Sequence, residues 1–213
     1  MRILGLTGGI AMGKSTAARA LRRLGVPVHD ADATVHRLYG PGGRGVPVIA
    51  EHFPEAVARG AVDRAALSRL LVGAPERFAL LDRLMHPLVR QETLDWLARR
   101  ARQRRPLVAL DIPLLYEGGG GSLCDAVITV SAPPFLQRQR ALARPGMTPE
   151  KLATILRRQV PDAVRRRRAD HVVPTGLGKA FAFRRLEAAV AEERGKPGRA
   201  WSLRRPRAVR RRG

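Results

Sequence analysis

A lysine and two hydroxyl residues follow a glycine-rich turn close to the start of the chain. The segment Gly8-Gly9-Ile10-Ala11-Met12-Gly13-Lys14-Ser15-Thr16 matches the pattern G-x-x-x-x-G-K-[ST]. In such a loop the backbone N–H groups point at a polyphosphate, Lys14 neutralises β- and γ-oxygens, and the Ser15 hydroxyl binds Mg²⁺. A strand candidate at residues 2–6 precedes the loop, and a helical pattern at 17–24 follows it. This order predicts a binding site for a nucleoside triphosphate.

Carboxylates stand where two predicted strands end. Asp30 and Asp32 follow the strand candidate at residues 26–30, and Asp111 closes the apolar run 107–110. Transfer of a phosphoryl group to a hydroxyl needs a carboxylate that orients or deprotonates the acceptor. Either Asp32 enters the next helix so that one of the pair faces the γ-phosphate, or both aspartates cap that helix. Asp111 has the position at which phosphate-loop proteins place an acid near Mg²⁺.

Two further polar residues have open interpretations. Glu117, after an apolar stretch, either binds substrate or is the first exposed residue of a loop. His86 precedes Pro87, and this proline predicts a helix break. A lone histidine at a break is more often structural than catalytic. No spacing of His, Cys and Asp predicts a zinc site.

Short apolar runs alternate with helical stretches and must position these residues. The strand candidates are residues 2–6, 26–30, 107–111, 126–130 and 171–173. Such alternation predicts an α/β fold with a parallel sheet covered on both faces. The nucleotide-binding core would comprise residues 1–30, 106–133 and 169–193.

A long insertion, residues 31–105, separates the second strand from the third. It is too long for a simple crossover, so we expect a helical subdomain. Helices are predicted at residues 61–71 and 89–104, and Pro75 is typical of a first helical turn.

A second insertion, residues 134–168, contains two predicted helices that meet at Arg144-Pro145-Gly146. Thr148 is the predicted N-cap of the second helix. Arg140 and Arg144 are four residues apart and share one helical face. The segment is therefore either a cationic lid that closes over the phosphate loop or a solvated basic helix pair.

Charge is the feature most open to misreading. Lys and Arg number 40 against 18 Asp and Glu in 213 residues, which gives a formal charge of +22. This excess points to nucleic acid or to anionic ligands. Aromatic residues make up only 4% and form no stacking motif, so we expect no specific nucleic-acid partner. The excess is densest after Glu193, which predicts a disordered basic tail at residues 194–213.

The sequence also predicts a location. No apolar run is long enough to cross a membrane, and the N-terminus lacks a signal cleavage site. The single cysteine, Cys124, cannot form an intramolecular disulfide, which agrees with a reducing compartment. We therefore expect a cytoplasmic protein without membrane contact.

Taken in order, the motifs over residues 2–191 resemble those of the dephospho-CoA kinase family of P-loop kinases. The matching residues are Leu6 and Thr7 with the phosphate loop, Asp30-Ala31-Asp32, His86-Pro87, Pro113-Leu114-Leu115 with Glu117, Arg140 with Arg144, Gln159, and Arg168-Ala169-Asp170-His171-Val172-Val173. The resemblance implies a P-loop kinase fold: a five-stranded parallel sheet flanked by helices, with a helical substrate-binding insertion and a helical lid.

The activity implied by this resemblance is the last step of coenzyme A synthesis, ATP-dependent phosphorylation of the ribose 3′-hydroxyl of dephospho-CoA. Mg²⁺ is the implied cofactor, ATP and dephospho-CoA are the implied partners, and a monomer or weak oligomer is expected. The alternatives are another small-molecule kinase with a phosphate loop or a nucleic-acid-binding NTPase.

Site residues follow from the same resemblance. The implied catalytic residues are Asp32 as general base, Lys14 and Arg140. The implied nucleotide-binding residues are Gly8, Gly9, Ala11, Met12, Gly13, Lys14, Ser15, Thr16 and Arg144. The implied substrate-binding residues are Thr7, Asp32, His86, Leu115 and Glu117. Ser15 and Asp111 are the implied ligands of Mg²⁺.

The chain departs from the family pattern at two places. Ala11 replaces a usual glycine, so a methyl group stands where the family has a residue that is free to adopt unusual dihedral angles. We expect weaker nucleotide binding or a small loop adjustment there. Pro174-Thr175-Gly176 replaces the usual Asn- or Asp-led turn, which leaves the adenine contacts open.

Overall fold

A parallel β-sheet organises the chain. The computed structural model describes residues 1–117 and 120–201. Within the described residues the strands are β1 (Arg2–Thr7), β2 (Val28–Asp30), β3 (Val57–Ala58), β4 (Ala61–Val62), β5 (Leu107–Asp111), β6 (Ala126–Ser131) and β7 (His171–Pro174). Strands β2, β5, β1, β6 and β7 form, in that order, the five-stranded parallel sheet that was expected.

The central strand is β1, which pairs in parallel with β5 and β6. The register runs from Arg2 opposite Leu107 to Leu6 opposite Asp111 on one side. Every residue of β5 and β6 is buried, as expected where helices cover both faces of a parallel sheet. Parallel pairing brings the carboxyl ends of β1 and β5 to one edge of the sheet. The phosphate loop and Asp111 therefore meet at that edge.

Helices separate the strands. The α-helices of the described residues are α1 (Lys14–Arg23), α2 (Ala31–Tyr39), α3 (Gly45–His52), α4 (Arg64–Leu71), α5 (Pro75–Arg102), α6 (Pro134–Leu142), α7 (Pro149–Arg158), α8 (Asp162–Arg168) and α9 (Lys179–Arg194). Short 3₁₀ helices lie at Pro54–Ala56 and Gly120–Leu123. None of the helices within the described ranges is both long and apolar enough to cross a bilayer.

The described residues form two compact units: residues 1–29 together with those from 103 to 201, and residues 30–102. In the first unit, α1 and α9 bury apolar side chains with the sheet, including Leu21, Leu186 and Val190. The second unit has its own apolar core, in which Ile49 and Phe53 are almost completely buried.

The second unit corrects one expectation about helix boundaries. Pro87 does not break a helix, because α5 runs without interruption from Pro75 to Arg102 with Pro87 inside it. An interior proline costs about 3 kcal/mol or more in an isolated helix. Met85 is buried beside this proline, and Leu88 and Val89 pack against the same core. Packing on both sides of Pro87 offsets the cost of the proline.

A β-hairpin also shortens the helix that was expected at residues 61–71. Ala61–Val62 is strand β4, which pairs antiparallel with β3. Arg59 and Gly60 turn the chain between them with φ angles of 51° and 73°. The Asp63 carboxylate then accepts hydrogen bonds from the backbone N–H groups of Ala65 and Ala66, so α4 begins at Arg64.

The first part of the predicted basic tail contacts the beginning of β1. The Asp125 carboxylate accepts hydrogen bonds of 2.7 Å from the backbone N–H groups of Ile3, Arg199 and Ala200. Arg2 donates to the Pro197 carbonyl oxygen at 2.8 Å. Residues 202–213 of the predicted tail lie outside the described residues. We refer to the contacts of residues 193–200 with Arg2, Ile3 and Asp125 as the C-terminal clasp.

Glu193 is the charged centre of the C-terminal clasp. Its side chain is 2% exposed and contacts Arg2, the Lys196 ammonium at 2.8 Å and the His171 ring at 2.9 Å. Burial raises the pKa of Glu193, but the hydrogen bonds from Lys196, His171 and Arg2 outweigh it and lower the pKa from 4.5 to about 2. The ionised carboxylate therefore stabilises the folded chain.

We predict that Glu193→Gln lowers the free energy of unfolding at pH 7 by about 2 kcal/mol. The native pKa lies below that of the unfolded chain, so this contribution is present above pH 4.5 and is lost as the pH falls toward 2. Urea unfolding of both proteins between pH 7 and pH 3 tests this. The difference should shrink steadily on acidification, and a difference independent of pH would contradict the assignment.

Candidate active site

The phosphate loop joins β1 to α1. Met12 donates its backbone N–H to the Gly9 carbonyl oxygen at 3.2 Å, which closes a turn inside the loop. Helix α1 begins at Lys14, its N-cap Gly13 has the left-handed φ of 93°, and no side chain caps it. The N–H groups and positive dipole end of α1 therefore suit a phosphate.

Two glycines of the loop allow close approach of other groups. A Cβ atom on Gly8 would lie 2.3 Å from Val130 Cγ2, and one on Gly9 would lie 2.8 Å from Arg165 Nη2. Real Cβ atoms essentially never approach so closely. Larger residues at these positions would displace the loop from the sheet and from Arg165.

Ala11 adopts the left-handed conformation that its glycine-like position suggested. Its φ is 59°, and its methyl group packs in a buried cluster with Ala141 and Leu152. Left-handed backbone costs an L-residue about 1–2 kcal/mol. The buried methyl contacts offset part of that cost.

We predict that Ala11→Val destabilises the protein by about 2 kcal/mol or more, because a β-branched residue at positive φ is strongly disfavoured and the site is buried. Ala11→Gly should change stability by less than about 1 kcal/mol, since relief of backbone strain and loss of methyl packing oppose one another. Urea denaturation of the two variants measures both effects. Equal stabilities of the two would show that φ at this position is not constrained.

Lys14 and Asp111 form an ion pair at the carboxyl edge of the sheet. The Lys14 ammonium lies 2.6 Å from Asp111 Oδ1, and the two side chains are 17% and 5% exposed. Ser15 is exposed in the first turn of α1. A hydroxyl and a carboxylate are the oxygen donors that Mg²⁺ prefers, so Ser15 and Asp111 fit this ion chemically. Thr16, the next residue of the motif, is exposed beside Ser15.

Arg140 of α6 is attached to the residue that follows β7. Its Nη1 donates to the Thr175 hydroxyl at 3.2 Å and its Nη2 donates to the Thr175 carbonyl oxygen at 3.0 Å. The Thr175 hydroxyl in turn donates to the Met12 carbonyl oxygen at 2.8 Å. Thr175 thus joins the predicted lid to the phosphate loop. Arg144 is exposed in the turn after α6, so the prediction that it shares a helical face with Arg140 is wrong: the helix ends at Leu142.

Three residues predicted to bind substrate lie near the carboxyl ends of β1 and β5. Thr7 and Leu115 are fully buried, and the Thr7 hydroxyl donates to the Pro113 carbonyl oxygen at 3.1 Å. Glu117 is half-buried and accepts a hydrogen bond of 2.8 Å from the Val160 backbone N–H. Glu117 is therefore not simply the first exposed residue of a loop, because its carboxylate binds the backbone of the chain after α7.

The other predicted residues, Asp30, Asp32 and His86, belong to the second unit. The structure distinguishes the positions of the two aspartates. Asp30 is the N-cap of α2, where its Oδ1 accepts the Ala33 backbone N–H at 2.9 Å. Asp32 lies exposed in the first turn of that helix. His86 is exposed on α5. Capping therefore accounts for Asp30 alone.

Several residues that contact the phosphate loop have no role predicted from the sequence. Gln137 and Gln159 bind the backbone of Ile10, and Arg165 packs against Gly9. Gln159 carried a signal as a member of the family motif set, whereas Gln137 carried none. Arg165 is the first of four consecutive arginines, and the run gives no sign of which one is buried.

Known proteins resemble this chain in sequence and in fold. A family model described as dephospho-CoA kinase matches residues 2–177. A dephospho-CoA kinase of Paramagnetospirillum magneticum is 57% identical, over 92% of each chain. One of Mesorhizobium japonicum is 47% identical over 93% of this chain and 100% of the relative. The crystal structure of a Thermus thermophilus protein superposes with a TM-score of 0.78 at 38% identity, over 90% of this chain and 97% of the other.

Proposed function

Because this chain belongs to the dephospho-CoA kinase family, we propose that it transfers the γ-phosphoryl group of ATP to the ribose 3′-hydroxyl of dephospho-CoA. The products are coenzyme A and ADP. Within the site, the observation that carries the proposal is the complete phosphate loop, whose Lys14 is bonded to Asp111 at the end of the adjacent strand. The relatives favour neither another small-molecule kinase nor a nucleic-acid-binding NTPase.

The phosphate loop binds the nucleotide in this proposal. Backbone N–H groups from Gly8 to Thr16 surround the β- and γ-phosphates, and Lys14 places a positive charge on the oxygens between them. Ser15 and Asp111 would hold Mg²⁺. When bound, Mg²⁺ neutralises the charge that develops on the phosphate oxygens during transfer.

Arg140 is the proposed second cation on the transferring phosphoryl group. Two of its N–H donors are used by Thr175. A guanidinium has five such donors in a planar fork, so it can bind a phosphate while Thr175 fixes its orientation. Arg144, in the turn that follows α6, is proposed to contact the nucleotide as well.

Asp32 is the proposed general base. An ionised carboxylate within hydrogen-bond reach of the 3′-hydroxyl would orient it and accept its proton. Residues 31–105 are proposed to receive the CoA moiety, with His86 among the contacts. Glu117 is proposed to contact the acceptor at the first unit. Thr7 and Leu115 are buried there, so we propose that they shape the surface that the acceptor contacts.

We propose that the two substrates are the only partners of the protein. We also propose that it is a monomer or weak oligomer and that it is located in the cytoplasm. The one cysteine of the sequence, Cys124, is a free thiol, which supports a reducing compartment.

Coupled ADP release with Mg²⁺ and ATP tests the activity. Dephospho-CoA should stimulate release and gain one phosphoryl group by mass, whereas adenosine, shikimate and buffer should not stimulate it. Single-stranded DNA is included to test whether the basic charge of the chain reflects a nucleic-acid function. Stimulation by DNA without turnover of dephospho-CoA would overturn the proposed function.

A further inference from the structure

One residue of the phosphate loop, Ile10, has both of its polar backbone groups bound by side chains. The Ile10 backbone N–H donates to Gln159 Oε1 at 3.0 Å. The Ile10 carbonyl oxygen accepts a hydrogen bond from Gln137 Nε2, also at 3.0 Å. Both polar backbone groups of Ile10 are thus satisfied by glutamines and not by the loop itself.

The two glutamines come from opposite ends of the predicted lid. Gln137 is a buried residue in the first half of α6. Gln159 is the C-cap residue that directly follows α7. Arg140 and Arg144 lie on the chain between them. A movement of either lid helix would therefore act directly on Ile10.

Neighbouring contacts hold the glutamines and the loop in place. Glu117 binds the backbone N–H of Val160, the residue after Gln159. On the other side, the Arg165 side chain is almost completely buried and its guanidinium packs against Gly9. Burial lowers the pKa of Arg165, and the nearby carboxylates of Glu117 and Asp162 oppose this shift only in part. This arrangement leaves the turn from Gly9 to Met12 little freedom to shift.

The position of Ile10 explains why this attachment matters for nucleotide binding. Ile10 directly precedes Ala11, whose left-handed φ of 59° directs the chain toward Gly13 and the start of α1. The Ile10 carbonyl group lies in the same peptide plane as the Ala11 nitrogen, so fixing the peptide planes on both sides of Ile10 restricts the rotation that would allow Ala11 to relax. A loop that already has its binding conformation loses less conformational entropy when the nucleotide binds, so the affinity is higher.

We propose that Gln137 and Gln159 are positioning residues that couple the lid to the phosphate loop through the Ile10 backbone. The inference rests on the proposed kinase function and concerns the nucleotide half of the site. Each glutamine uses one chemical function only: Gln137 donates through its amide nitrogen, and Gln159 accepts through its amide oxygen. The same substitution at the two positions therefore has opposite consequences.

The test compares Gln137→Glu with Gln159→Glu. A carboxylate at residue 159 can still accept the Ile10 N–H, whereas a carboxylate at 137 faces a carbonyl oxygen that it cannot donate to. We expect Gln137→Glu to weaken binding of Mg²⁺-ADP about tenfold, the worth of one such hydrogen bond, and Gln159→Glu to retain most of the affinity. Both variants add one negative charge beside the loop, so an effect of charge alone would lower the affinity of both.

Calorimetric titration with Mg²⁺-ADP measures the affinity, and it is independent of any acceptor. A protein that binds ADP but does not phosphorylate dephospho-CoA would refute the proposed function and leave this test valid. Gln159→Leu removes the acceptor and should also lose about tenfold. Melting temperatures, and KM for ATP determined separately from kcat, complete the experiment. A purely structural role would lower the melting temperature without giving the two glutamate variants different affinities for Mg²⁺-ADP.

Equal losses in the two glutamate variants would overturn the proposal in favour of a charge effect. Wild-type affinity in both Gln137→Glu and Gln159→Leu would overturn it as well. Should Gln137→Glu fail to fold, Gln137→Met removes the donor without charge and takes its place in the comparison.

Discussion

Asp32→Asn will lower kcat for phosphorylation of dephospho-CoA by about 10²–10⁴-fold, the usual contribution of a general base. Asparagine can still accept a hydrogen bond from the 3′-hydroxyl but cannot take up its proton at neutral pH. The affinity for ATP should stay nearly unchanged, since the phosphate loop belongs to other residues. Single-turnover kinetics together with ATP titration separate the two quantities.

Asp30→Asn is the matched control for this prediction. It makes the same chemical change two residues away, at a carboxylate that caps α2 through the Ala33 N–H. Asparagine is an equally good N-cap, so this variant should keep both stability and turnover. Wild-type turnover of Asp32→Asn, or an equal loss in Asp30→Asn, would refute the assignment of Asp32 as base.

Lys14→Met should have the second large effect, a loss of about 10²–10³-fold in kcat/KM. The substitution removes the charge placed on the transferring phosphoryl group. It also removes the cation now bonded to the buried Asp111 carboxylate at 2.6 Å, so we expect destabilisation of about 3 kcal/mol. Steady-state kinetics and urea denaturation of the same preparation report the two losses.

The double variant Lys14→Met/Asp111→Asn distinguishes chemistry from folding. Neutralising Asp111 removes the buried charge that Lys14 no longer balances, so much of the lost stability should return. Activity should not return, because neither change restores a cation at the phosphates. Recovery of turnover in the double variant would mean that Lys14 serves only to balance Asp111.

The sheet could be predicted from sequence because its strands are short apolar runs bounded by turns. The run at Leu107–Asp111 matches β5 at both ends, and the run beginning at Ala126 extends by one residue in β6. Strands buried on both faces leave this plain signal, since almost every position must be apolar. The glycine loop adds an equally local signal.

What could not be predicted depended on contacts distant in sequence. Pro87 predicts a break by its local chemistry, yet core packing on both sides of it keeps α5 continuous. The arginine run starting at Arg165 contains one member that packs on Gly9, and only the tertiary fold selects it. Gln137 is similarly ordinary until α6 places it against Ile10. Polar residues that act through the backbone of another segment leave no pattern of their own.

The placement of β1 at the centre of the sheet bears on how the chain folds as it is synthesised. Residues 30–102 are contiguous and have their own apolar core, so that unit can be completed early. β1 and the phosphate loop are made first, but their neighbours β5 and β6 emerge only after that unit, and Gln159 emerges later still. The C-terminal clasp closes last, when Glu193 reaches Arg2. A nascent chain on a ribosome stalled before residue 159 would therefore contain the whole phosphate-loop sequence but no complete nucleotide site. The pairing of β1 with strands as distant in sequence as β5 and β6 also favours slow folding.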